Sequence, residues 1–207
     1  MPTRILNSTF GTPEQVSSIA TFLLEKEQYI LDNYPFISYF GTDDPAVKNP
    51  GTFVTTRSGT YNVLNFVNEL PILNNLKEFF AEKFFEYVEM KGNSQYLVNP
   101  AVNCWVNIVR KQESISFHKH AEHENSFVSA SMVLKAEDTS TWYKFEDGEI
   151  IKVPNTIGNL SIFPCNVYHW TDIHLGQEPR ITLGMDFFYD RETSKPNTTF
   201  YNSLVNL

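Results

Sequence analysis

Residues 117–124 read Phe-His-Lys-His-Ala-Glu-His-Glu, and three of the chain's five histidines stand in that stretch. On an extended backbone, side chains alternate between faces, so His118, His120 and Glu122 fall on one side, with Lys119, Ala121 and His123 on the other. A face carrying two imidazoles and a carboxylate at strand spacing is a metal-binding edge. Imidazole suits iron, zinc, nickel and copper, and a mixed histidine–carboxylate set with open positions suits iron(II) used for oxygen chemistry. Such a cluster is incomplete without a ligand from elsewhere.

Two later stretches have suitable residues. Gly158-x5-Pro164-x4-His169 reads as a strand, a turn and a histidine where the chain turns back into the sheet. Alone in such a place, a histidine is more often a structural hydrogen-bonder than a ligand. From Glu178 to Asp186 the alternation puts Arg180, Thr182 and Gly184 on one face. An arginine turned into a small barrel is costly unless it meets an anion. Its planar fork grips a carboxylate through two bonds, with the Thr182 hydroxyl as a second donor and Gly184 leaving room for the ligand. The plainer alternative is an exposed edge strand with Arg180 in water.

The elements that must position these residues come in two textures. Thr12-Pro13-Glu14-Gln15 opens a helix with a capping box, and Tyr34-Pro35 ends it. Asn7–Gly11 and Gly41–Gly51 read as loops, and Thr52–Thr56 and Tyr61–Leu64 as the strands of a hairpin about Ser58-Gly59. A second helix is predicted over 72–90, where two Phe-Phe pairs widen the apolar face as expected of a helix lying on a sheet. After Gly92 come short strands: Gln95–Val98, Asn103–Val109, Phe127–Ala136, Thr141–Phe145, Ile150–Val153, Leu160–Phe163 and Arg180–Tyr189, with Asp147-Gly148 as a turn. This order predicts a β sandwich or barrel supported by helices, in one domain over residues 1–207: helical support to about 92, β core about 93–190.

A formal charge of −8 argues against coating nucleic acid by bulk charge, although Arg110, Lys111 and Lys119 near the histidines leave a local grip open. Cys104 and Cys165 are too few for a zinc ribbon or a disulfide framework, and a reducing compartment is the simpler reading. No signal-like or membrane-spanning stretch is found, so a cytoplasmic protein is expected.

Taken in order, the motifs resemble the iron(II)- and 2-oxoglutarate-dependent dioxygenases, and more closely the prolyl-hydroxylase-like branch common in phage and marine bacterial genomes. The matching residues are Trp105 and Asn107; His118 and His120; Ser129-Ala130; Gly158, Phe163-Pro164 and His169; and Arg180-Ile181-Thr182. The likeness covers the C-terminal half closely and the N-terminal helices only in layout. It implies a mostly β, α+β fold: a double-stranded β-helix, the jelly roll of cupin-like proteins. It also implies iron(II) on His118, His120 and His169, and 2-oxoglutarate held by Arg180 with Thr182 and Asn107. Dioxygen would then hydroxylate a C–H bond of an unidentified substrate (a protein residue, a nucleobase or a small metabolite) as 2-oxoglutarate is decarboxylated to succinate. Most relatives carry a carboxylate where His120 stands. A shifted register makes His120-Ala121-Glu122 the ligand pair, so Glu122 is the alternative ligand. Trp142, Tyr143, Phe145 and Trp170 are candidate cavity walls.

Two competing readings remain open. His118-x-His120-x3-Glu124 with Gly158, Pro164, Asn166 and His169 also fits the metal motifs of cupins, which do not need Arg180 or Thr182. A non-catalytic phage accessory protein is the other.

Overall fold

The computed structural model describes residues 4–34, 60–120, 127–194 and 203–207. Strand β1 (Leu6–Thr9) precedes helix α1 (Pro13–Asn33), whose start is fixed by reciprocal bonds. The Gln15 amide donates to Thr12 Oγ1 at 3.4 Å, and the Thr12 amide donates to Gln15 Oε1 at 2.9 Å. The helix buries Val16, Ile19, Ala20, Leu23 and Ile30 along one stripe. Helix α2 (Ile72–Met90) buries Leu73, Leu76, Phe80, Phe84, Tyr87 and Val88, and Gly92 in the left-handed region (φ +69°) turns the chain out of it.

The strands that follow are β2 (Ala101–Val109), β3 (Phe127–Lys135), β4 (Ser140–Lys144), β5 (Ile150–Pro154), β6 (Asn159–Pro164), β7 (Tyr168–Thr171), β8 (Arg180–Phe188) and β9 (Val205–Asn206). They form a six-stranded sheet, in the order β1-β6-β3-β8-β2-β9, and a three-stranded sheet, β5-β4-β7. The pairings are antiparallel throughout. Residues 115–120 run beside β7 as a further ribbon: the amides of His118 and His169 each donate to the other's carbonyl, at 3.1 and 2.8 Å. The result is a double-stranded β-helix with helices on its outside.

Alternation along β8 decides what goes where. Ile181, Leu183, Met185 and Phe187 join the core shared with α1 and α2, and Phe187 stacks on Phe84 with ring centroids 5.0 Å apart. Arg180, Thr182, Gly184 and Asp186 therefore look the other way, toward the smaller sheet. Both helices belong to the outer layer, as their wide apolar stripes require.

Several local readings of the sequence are corrected. Asn7–Gly11 is not all loop, because Leu6–Thr9 pairs with β6. Gln95–Val98 is not a strand: Ser94–Tyr96 makes a 3₁₀ turn. Tyr61–Leu64 is not a hairpin strand but leads into a 3₁₀ helix, Val63–Asn68. There the buried Asn62 side chain accepts from the Leu64 amide at 3.0 Å and donates to the Val102 and Ser203 carbonyls at 2.8 and 2.9 Å. This local side-chain bonding displaces the strand conformation. Tyr61 Oη accepts the Val106 amide at 2.8 Å, covering an edge of β2 that β9 is too short to reach. Thr52–Thr56 and the Ser58-Gly59 turn lie outside the described residues. Among the described residues, no helix is long and apolar enough to cross a membrane.

Trp142 and Trp170 are also corrected. They stand on the outer face of the small sheet, in a stack that runs from Lys152 over Trp142, through Trp170, Phe117 and Tyr168, to Lys119. A cation covers each end of this stack, so it braces the sheet rather than lining a cavity. Phe145 packs in a satellite cluster with Ile5, Tyr143, Phe163 and Val167.

Candidate metal centre

The 115–120 ribbon and β7 lie antiparallel, so His118 and His169 are directly paired and project to the same face. His120, two residues on, shares that face. The ring centroids of His118 and His169 lie 4.2 Å apart, with His120 at 5.3 and 5.0 Å from them. One ring nitrogen from each lies within 4.8 Å of the others.

Which nitrogens converge follows from what the others bond. His118 Nδ1 lies 2.7 Å from the Ser116 carbonyl, and His169 Nδ1 lies 3.1 Å from the Val167 carbonyl. A carbonyl only accepts, so both Nδ1 atoms carry the proton and donate. His120 Nδ1 lies 2.6 Å from Asp186 Oδ1 and donates likewise. In that tautomer Nε2 is the nitrogen that carries the lone pair. The Nε2 atoms of His118 and His120 face each other at 3.3 Å, too close for two acceptors unless a cation lies between them. Three neutral imidazoles, each oriented by an acceptor on its far nitrogen, make a ligand set for a divalent transition metal.

The surroundings of His169 are aromatic. Phe163 and Tyr143 pack on His169 with centroids 4.9 and 6.2 Å away. Burial, with His118 and His120 facing it, holds the His169 imidazole well below its ordinary pKa. The neutral, ligating form is therefore favoured. Glu122 lies outside the described residues, as does Glu124 of the cupin pattern.

Arg180 is fully buried. Its Nη2 donates to Thr171 Oγ1 at 2.7 Å and its Nη1 makes a long contact of 3.4 Å to the Asp172 carbonyl. The Asp172 carboxylate is already occupied by the Ser140 amide and the Trp142 indole N–H, at 2.9 and 2.7 Å. Burial pulls the guanidinium down to about 10, offset in part by Asp172, and it stays charged at neutral pH. Its Nε has no partner among the described residues.

Thr182 is buried two residues along β8, and Asn107 is its register partner on β2. Gly184 does not leave room for a ligand: a Cβ there would sit 2.5 Å from the Trp105 indole, which fills the space. Thr171 was not singled out in the sequence, although it lies two residues after His169 on the same face. Its hydroxyl oxygen accepts from both Arg180 and the Ile115 amide, which leaves its proton to donate.

No family model matches the sequence, and no curated protein does. Solved structures match at low identity. The fold is shared with oxygenases. A prolyl-4-hydroxylase from Pseudomonas putida superposes with a TM-score of 0.51 at 14% identity, over 90% of this chain and 89% of that one. The non-heme monooxygenase ThoJ, in its nickel complex, gives 0.52 at 8% identity over 90% and 74%. AviO1 from Streptomyces viridochromogenes gives 0.58 at 10% identity over 89% of both chains. At these identities the likeness is one of fold, and the chemistry is argued from the residues.

Proposed function

We propose that this protein is an iron(II)- and 2-oxoglutarate-dependent oxygenase that hydroxylates a C–H bond. The observation that carries the reading is a buried guanidinium, charged at neutral pH, whose Nε has no partner among the described residues and whose Nη2 bonds Thr171, two residues from His169 of the three-histidine cluster. A cupin-type metal centre accounts for the histidines but gives Arg180 no anion.

Bound there, iron(II) with 2-oxoglutarate supplies dioxygen activation: one oxygen atom enters the substrate C–H bond and the other enters succinate as carbon dioxide leaves. The protein's own part is positional. His118, His120 and His169 would hold the metal. Arg180 Nε, with the Thr171 hydroxyl, forms a clamp for the distal carboxylate, and Thr182 and Asn107 are further donors within the same face. Phe163 and Tyr143 exclude water, so each charge-assisted contact acts in a weakly screened site.

Turnover tests the proposal. Iron-loaded protein should consume oxygen and convert 2-oxoglutarate to succinate slowly even without a prime substrate, and Arg180→Ala should abolish this at micromolar cosubstrate. Oxygen uptake that ignores 2-oxoglutarate would return the protein to the cupin reading.

A further inference from the structure

A three-histidine set is neutral, whereas a mixed histidine–carboxylate set carries a negative charge. Resting on the metal-centre reading above, we propose that Asp186 supplies that charge from one bond further out, through His120, and so acts as a positioning residue that sets the electronic character of the site.

Four observations carry this. Asp186 Oδ1 lies 2.6 Å from His120 Nδ1, within the range of a charge-assisted bond, and both side chains are nearly buried, at 11% and 10% exposure. Ser129 Oγ donates to the same oxygen at 2.8 Å and lies 3.0 Å from His120 Nδ1, closing a triangle that fixes carboxylate and ring together. Among the described residues, no lysine or arginine pairs with Asp186, so its charge is directed at the imidazole. Finally, the Nδ1 protons of His118 and His169 go to the neutral carbonyls of Ser116 and Val167, whereas that of His120 goes to a carboxylate. A carboxylate accepting from Nδ1–H raises the donor strength of Nε2, giving the metal part of an anionic ligand while all three protein ligands remain imidazoles.

The test separates charge from shape. In Asp186→Asn the amide oxygen still accepts from His120 Nδ1, but the charge is gone. Cobalt(II) affinity, measured by chelator competition, should fall about 10–100-fold, and the iron(III)/iron(II) midpoint potential should rise. Ser129→Ala removes a donor from the carboxylate, makes it a stronger acceptor for His120, and should shift the potential the other way. A purely structural role would loosen the site in both variants and move both in the same direction. Ser129→Ala also decides the matter by itself if Asp186→Asn does not fold: a potential at or above wild type overturns the inference. Wild-type affinity and potential in a folded Asp186→Asn overturn this inference alone. Failure of the wild-type protein to bind metal stoichiometrically would overturn it together with the metal-centre reading.

Discussion

At the scale of single residues, the centre depends on each histidine committing its Nδ1 proton to a fixed acceptor, so that Nε2 carries the lone pair. His120→Ala and His169→Ala should each remove stoichiometric metal, read by elemental analysis after anaerobic loading, with little loss of folded structure. Full occupancy in either variant contradicts the ligand assignment. The pH dependence of the metal-free protein has a definite sign. The unfolded chain takes up a proton at His169 near pH 6.5, while the buried ring, held well below that value, does not. The stability that neutral His169 contributes is therefore complete above the unfolded value and is lost as pH falls toward the folded one. The urea midpoint should drop between pH 7.5 and 5.5, and His169→Gln should flatten that slope. An identical slope in the variant would mean that His169 is protonated in the fold.

These residues were legible to different degrees. The His118, His120, His169 and Arg180 positions follow from spacing, because period-two alternation is a local property of the chain. Asp186 lies on the same alternating face as Arg180, but nothing local says that a strand from the other sheet will bring His120 against it. Gly184 was misread for the same reason: the space above a glycine belongs to its cross-strand neighbour, here Trp105.

At the scale of elements, α1 and α2 cover the large sheet, and Phe84 joins the two layers, stacked on Phe187 and also on Tyr189 at 5.9 Å. Phe84→Ala should cost about 3–5 kcal/mol in denaturant unfolding, as for other fully buried aromatic rings. A loss under about 1 kcal/mol would show that the helices contribute little to the core. The helices were readable because their ends carry explicit chemistry: Thr12 and Gln15 at one, Gly92 at another. The short strands were harder. Residues 6–9 and 205–206 have too few positions to show alternation, and β7 hides in what reads as a turn before His169. Tyr61–Leu64 carries strand-like residues, yet Asn62 uses its side chain for long-range bonds that no local pattern reveals.

At the scale of the whole molecule, two sheets of a jelly roll bring together a histidine ribbon from one wall and the buried Arg180 from the other. Under the proposed function that meeting would make a binary site for a metal and a dicarboxylate, with the small sheet braced from outside by its aromatic stack. The most direct measurement is the anaerobic visible spectrum of the iron(II) protein titrated with 2-oxoglutarate. A weak charge-transfer band from chelation of the 2-oxo acid should grow to saturation at one equivalent per chain. Arg180→Ala should weaken that binding by about 2–5 kcal/mol, and Arg180→Lys should restore only part of it, since a point charge lacks the planar fork. A spectrum that does not change with 2-oxoglutarate, or an Arg180→Ala protein that saturates at the wild-type concentration, would contradict the proposal that this site joins a metal to 2-oxoglutarate.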